Sequence, residues 1–107
     1  MSESADQAMR FNGGKYVFSM LDEMPNALGG VTRVLEYGAR KYARNNYRKG
    51  LPFTEIYDSM RRHQMAWLNG EDTDPESGLL HVDHIVANAL FLAELTRRTP
   101  QMDDRCA

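Results

Sequence analysis

"DPESGLLHVDHIVANALFLAELTRR", residues 74–98, reads as one long helix, and the fold follows from that reading. Asp74 offers a carboxylate to the first free backbone N–H groups, Pro75 suits the first helical position, and Glu76 favours the positive end of the helix dipole. Val82, Ile85, Val86, Ala89, Leu92 and Ala93 recur at three- and four-residue spacing, which makes one apolar stripe. The run continues to about Arg98, and Pro100 stops it.

Working back along the chain, two more helices carry the same period. From about Asn26 to Asn45, Leu28, Val31, Leu35, Gly38 and Tyr42 form a stripe, ended by "NNYRKGLP" with Gly50 and Pro52 as breakers. From about Thr54 to Asn69 the stripe is Ile56, Met60, His63 and Trp67, with Gly70 as the C-terminal cap. The stretch "YVFSMLDEM", residues 16–24, is short enough to be helix or strand. Strand signals are otherwise nearly absent. The expected fold is all-α: a small antiparallel helical bundle of three main helices plus a short N-terminal segment. Residues 1–14 read as a flexible arm ending at the Gly13–Gly14 turn, 15–98 as the helical domain and 99–107 as a tail. Three helices with broad apolar faces make a thin core, so a homo-oligomer, dimer or larger, is expected.

A chain of 107 residues forms one domain. With 42% hydrophobic and 26% charged residues it has the composition of a soluble globular protein. The net charge of -2 gives no general attraction to nucleic acid. The opening "MSESADQAMR" has no basic start followed by an apolar run, and no stretch approaches the ~18 apolar residues of a membrane span. The single cysteine, Cys106, permits no intramolecular disulfide and no cysteine-based zinc site. A cytoplasmic protein is expected.

The chemistry concentrates in "GEDTDPESGLLHVDH", residues 70–84, with five carboxylates and two histidines. At ~100° per residue, His81, His84 and Asn88 span an arc of about 60° bordering the apolar stripe, away from Asp83 and Glu94. An isolated pair of such histidines can simply be hydrogen-bonded boundary residues. His63, however, sits within the stripe of the preceding helix, where a leucine would pack better. A short loop would fold that helix back and bring His63 towards His84 and Asn88. Capping explains Asp74 and Glu76 but not Glu71 and Asp72. Four acids within six residues also raise one another's pKa unless a cation offsets them. Oxygen-rich ligand sets suit Mg²⁺ or Mn²⁺, and added imidazole moves the balance towards Mn²⁺ or other transition metals. Glu36 is either an i,i+4 ion-pair partner of Arg40 or a further metal carboxylate.

Beyond it, "ARKYARNNYRKG" carries Arg40, Lys41, Arg44, Arg48 and Lys49 with Tyr42 and Tyr47 and no acid. Cations at a helix end complement its dipole in any protein. The same island can also hold a polyphosphate, with Tyr42 or Tyr47 stacking on a base and Lys15 adding a further contact.

"RVLEYGARKYARNNYRKGLP" and "RRHQMAWLNGEDTDPESGLLHVDHIVANALFL" together resemble the N-terminal domain of the phage dATP/dGTP diphosphohydrolases, the MazZ-like proteins. The resemblance covers about Lys15 to Leu95. Its most specific elements are E-x-G-x-x-K-Y from Glu36, the Arg62–His63 pair, and the run from Gly70 to His84, with Asn88 beyond. It implies a phage enzyme, acting in the host cytoplasm, that cleaves purine deoxynucleoside triphosphates to the monophosphate and pyrophosphate with a divalent metal. The more distant MazG-like all-α pyrophosphatases hold magnesium with an E-x-x-E and an E-x-x-D helix. Here E-x-x-D occurs at Glu55–Asp58 and Glu71–Asp74, but E-x-x-E does not occur.

The physical reading assigns Glu36, His63, Glu71, Asp74, His81 and His84 as candidate ligands of Mg²⁺ or Mn²⁺. Of these Glu36, His63 and Glu71 are also candidate catalytic groups. Lys15, Lys41, Arg48 and Lys49 are candidate phosphate contacts, and Tyr42 and Tyr47 candidate base-stacking rings. The alternative is a non-catalytic phage protein that binds a nucleotide or nucleic acid through the basic island.

Overall fold

The computed structural model describes residues 7–106; the part of the expected arm from 1 to 6, and residue 107, lie outside the described residues. The order is α1 (Ser19–Asp22), α2 (Pro25–Lys41), α3 (Phe53–Leu68) and α4 (His81–Arg98), with 3-10 turns at Asn46–Lys49 and Pro100–Met102. Among the described residues there is no strand, only an isolated bridge between Thr73 and Leu80. The fold is all-α. No helix is long and apolar enough to cross a membrane.

The segment left open between helix and strand forms the single turn of α1. Pro25 opens α2 at its first turn, where its missing N–H costs nothing. This helix ends at Lys41 and not near Asn45, because Asn45 adopts a left-handed φ of 65° and the chain tightens into a 3-10 turn.

The start of the last helix differs from the sequence expectation. Asp74 does cap a turn, accepting Ser77 N–H at 3.0 Å on Oδ2 and Gly78 N–H at 2.8 Å on its carbonyl. Gly78 then takes φ 73°, which ends the turn after one circuit. The chain bridges back from Leu80 to Thr73 before α4 begins at His81. The capping chemistry is therefore present, but it builds a loop turn and not the helix. That loop, residues 69–80, is longer than the short connection expected.

The rotation of α4 differs too. Its buried residues are His81, His84, Ala87 and Leu95, whereas Val82 and Val86 of the expected stripe are 40% and 43% exposed. The two histidines thus lie on the packed face and not at its border. Apolarity alone misplaced the face because hydrogen-bonded imidazoles replace aliphatic groups there. Asp83 is half-buried against α2, where a methyl group on Gly30 would collide with its carboxylate.

The core is divided. Val31 and Val34 of α2 meet Ala87, with Leu79 packed on them. At the other end of α4, Phe53, Ile56 and Leu95 cluster with Tyr47, Phe91, Leu92 and Met102. Asp104 closes this end by accepting hydrogen bonds from Thr54 N–H at 2.9 Å and Thr54 Oγ1 at 2.6 Å, which satisfies one of the free donors that open α3. Trp67, expected in the α3 stripe, is 51% exposed. The Cα radius of gyration is 18.3 Å, against about 13 Å for a compact chain of this length. Residues 9–18 account for part of the difference, since Met9, Phe11, Tyr16, Val17 and Phe18 are 63–84% exposed.

Candidate metal centre and nucleotide groove

Helices α3 and α4 pack side by side, and polar residues face one another along their seam. Asn88 Nδ2 donates to the His84 carbonyl at 3.0 Å and approaches Ser59 Oγ at 3.5 Å. One turn further on along each helix, the rings of His63 and His84 lie face to face, with centroids 4.3 Å apart and planes 6° from parallel. His63 does reach His84, as its place in the α3 stripe suggests.

His81 completes the group. Its Nδ1 lies 2.8 Å from His63 Nδ1, and its Nε2 lies 2.7 Å from Glu71 Oε1. An ionised carboxylate can only accept, so Nε2 carries the proton and donates to Glu71, and in neutral His81 the Nδ1 lone pair faces His63. His84 is engaged differently: its Nε2 is 2.7 Å from Ser77 Oγ, which also accepts Leu79 N–H at 3.1 Å. Both α4 histidines are buried, at 3% and 8% exposure for His81 and His84. Among the described residues no buried side-chain nitrogen or oxygen lacks a partner.

The loop turn supplies the carboxylate. Asp74 Oδ2, tied to Ser77 N–H, lies 3.7 Å from His84 Nε2. One donor atom from each of His63, Asp74 and His81 falls within 4.8 Å of the other two. Two nitrogens bound at right angles to one ion through bonds of ~2.0–2.1 Å are about 2.9 Å apart. The 2.8 Å between the Nδ1 atoms, a hydrogen-bond distance, is close to that right-angle spacing and short of the ~3.4 Å of a tetrahedral pair.

The electrostatics favour the ligating forms. Burial, reinforced by the neighbouring His84, holds the His63 pKa below the usual histidine value. Burial also lowers that of His84, against the opposing pull of Asp74. Burial works against ionising Asp74, but hydrogen bonds from Ser77 and the adjacent imidazoles outweigh it, so its pKa is lowered. Neutral imidazoles beside an ionised carboxylate are what cation binding requires.

This cluster borders a groove of about 1100 Å³ between α2, α3 and α4, lined also by Glu36, Tyr37, Lys41, Tyr42, Arg44 and Arg62. Lys41 Nζ is 2.8 Å from Glu76 Oε1, which also accepts from Tyr37 Oη at 3.2 Å. That hydrogen bond pushes the Lys41 pKa up to about 12 and lowers that of Glu76. The Lys41 ammonium also sits 5.9 Å and 5.5 Å from the ring centroids of Tyr37 and Tyr42.

Not every expected site residue converges. Glu71 touches His81 and stands behind it. Glu36 lines the groove but is outside the His63–Asp74–His81 group, and no ion pair with Arg40 forms. Lys15, Arg48 and Lys49 are exposed and away from the groove lining. Tyr47 does line the groove, half-buried and with one ring face stacked on Phe91 at 5.1 Å, so it also serves packing. Ser77, Tyr37 and Arg62 were missed as site residues. The three-residue spacing of Asp74 and Ser77, followed by Gly78, is the signal that would have shown Ser77 bonded in a turn.

The family described as "dATP/dGTP diphosphohydrolase, N-terminal" matches residues 5–105. A protein named dATP/dGTP diphosphohydrolase, from Salmonella phage PMBT28, is 34% identical over 97 residues. The match covers 91% of this chain and 32% of that relative, so the chain spans about a third of its length. No solved structure matches. The matched range takes in all four helices and the whole histidine and carboxylate cluster, and the chain belongs to the dATP/dGTP diphosphohydrolase N-terminal family.

Proposed function

We propose that this protein hydrolyses purine deoxynucleoside triphosphates, dGTP or dATP, to the monophosphate and pyrophosphate with a divalent cation, Mg²⁺ or Mn²⁺. One observation carries the proposal: the His63, Asp74 and His81 donors converge beside a groove whose wall holds Lys41, Arg44 and Arg62. Family membership supports the same reading, as does the activity for which the phage relative is named.

His63, Asp74 and His81 would hold the cation. When bound, it neutralises charge on the phosphate chain and lowers the pKa of water. Lys41, Arg44 and Arg62 would contact phosphate oxygens through charge-assisted hydrogen bonds. Tyr42, largely exposed beside Lys41, would stack on the base. Glu36 lines the groove without an ion-pair partner among the described residues, which suits a general base that takes a proton from water.

Purified protein incubated with the four dNTPs and either metal, then resolved by chromatography, is expected to yield dGMP or dAMP and pyrophosphate. Unchanged triphosphates with both metals would defeat the enzyme reading. Binding of a nucleotide or DNA without turnover would favour the non-catalytic alternative.

The outward apolar groups further support a homo-oligomer. Val82, Val86 and Leu90, four residues apart on α4, and Leu28 and Leu35 of α2 are all at least 38% exposed, apolar surface that a second copy would cover. Light scattering after size exclusion is expected to give twice the 12.2 kDa chain mass or more. A monomer at micromolar concentration would contradict it.

A further inference from the structure

An all-oxygen magnesium site needs several carboxylates on one point, and among the described residues no three carboxylates converge. Glu55 and Asp58 are both exposed on α3, outside the converging group. Two imidazole nitrogens and one carboxylate converge instead, and behind one imidazole stands a second carboxylate. Magnesium favours oxygen ligands, whereas imidazole suits manganese and the later transition metals. We infer that the protein binds a transition-metal ion through His63, Asp74 and His81, with Glu71 as a positioning residue that fixes the His81 ring. The inference rests on the proposed hydrolytic site and deepens it by naming the ion class and a role for Glu71 other than ligand or base.

Three observations support the assignment. His81 is 3% exposed, yet neither ring nitrogen is spent on backbone or solvent: Nδ1 faces His63, and Nε2 faces Glu71 at 2.7 Å. Histidine ligands commonly donate their second ring N–H to a carboxylate in this manner, which sets the tautomer and strengthens the ligand. Asp74 is anchored through Oδ2 by Ser77 N–H at 3.0 Å, so its carboxylate is held in place by the turn before any ion arrives. Finally, Ser77 Oγ engages His84 Nε2 at 2.7 Å, and this steadies the ring that lies flat against His63. The three donors come from α3, the loop turn and α4, each braced by a separate contact.

The test uses the full chain, stripped with a chelator and dialysed against Mn²⁺, Co²⁺ or Mg²⁺ alone, with bound metal measured by elemental analysis. One Mn²⁺ or Co²⁺ per chain is expected, bound at least about a hundredfold more tightly than Mg²⁺, and Co²⁺ should give the visible absorption of a nitrogen-ligated ion. Glu71→Gln, checked for unchanged helix content, is expected to weaken Mn²⁺ and Co²⁺ binding about 10–100-fold. Asp72→Asn, one residue away on the exposed loop, is expected to change nothing. Equal affinity for Mg²⁺, or undiminished Mn²⁺ binding by Glu71→Gln, would overturn the inference. Turnover supported by Mg²⁺ with no retained transition metal would overturn it while leaving the hydrolase proposal standing. Tight Mn²⁺ binding without any dNTP cleavage would uphold it and defeat the hydrolase.

Discussion

Asp74→Asn is expected to lower kcat/KM for dNTP hydrolysis about a thousandfold, or ~4 kcal/mol at about 1.4 kcal/mol per tenfold. The magnitude follows from the several kcal/mol of transition-state charge stabilisation that a bound divalent ion contributes. The substitution is chosen because asparagine also caps turns well. Its amide oxygen can take over the Ser77 N–H bond that Asp74 Oδ2 accepts at 3.0 Å, so the loop turn survives while the charge is lost. His63→Ala should act in the same direction, but it also strips a ring stacked on His84 at 4.3 Å and so weakens packing as well. Steady-state kinetics with circular dichroism on each variant separates the two effects. Wild-type turnover by a folded Asp74→Asn protein would place the chemistry elsewhere in the groove.

The second large effect is on stability. Leu95 is the one fully buried large side chain among the described residues, at 0% exposure, and it joins Phe53 and Ile56 of α3 to α4. Leu95→Ala is expected to cost about 2–5 kcal/mol, from lost transfer free energy plus the cavity left behind. For a domain of this size, whose total stability is about 5–15 kcal/mol, that is a large share. The melting temperature should fall by more than about 10 °C, at roughly 4–8 °C per kcal/mol. A loss below about 1 kcal/mol would mean that this cluster can collapse around the gap and is not the part of the core that holds the helices together.

Much of the fold was legible because periodicity reports helices well. The three main helices, their order and the ends of α3 and α4 near Leu68 and Arg98 follow from apolar spacing and from the breakers Gly70 and Pro100, whereas α2 stops at Lys41, short of the end expected near Asn45. What spacing could not supply is the rotation of α4. Val82, Ile85 and Val86 look like core residues, yet the packed face carries His81 and His84, since satisfied imidazoles bury as readily as leucine where Ser77, Glu71 and His63 meet them. Local reading also ran too far at Asp74: the cap is real, but Gly78 takes a left-handed conformation that ends the turn. Such a stop depends on the bridge from Thr73 to Leu80, a contact that no helical period encodes.

For the site, the suspicion raised by His63 was informative because an imidazole in an apolar stripe needs partners, and those lie on the next helix. Asp74, read both as a helix cap and as a candidate ligand, faces the same histidines because the loop turn carries it there. Glu71 illustrates the opposite limit. Sequence marks it as an acid not needed for capping, but its 2.7 Å contact with His81 Nε2, on which the proposed positioning role rests, is visible only in the structure. The basic island behaves similarly. Lys41 lines the groove, while of the 3-10 turn Asn46 and Tyr47 line it and Arg48 and Lys49 do not, so cations close in sequence part company in space.

The most direct test is to return Mn²⁺ stepwise to the chelator-stripped wild-type chain while following dGMP and pyrophosphate formed from dGTP, with Asp74→Asn measured alongside. No product is expected before metal is added, followed by a rise that saturates near one ion per chain, and a flat line for Asp74→Asn. Full turnover by the stripped protein, or an Asp74→Asn curve that overlays the wild type, would contradict a metal-dependent reaction at His63, Asp74 and His81.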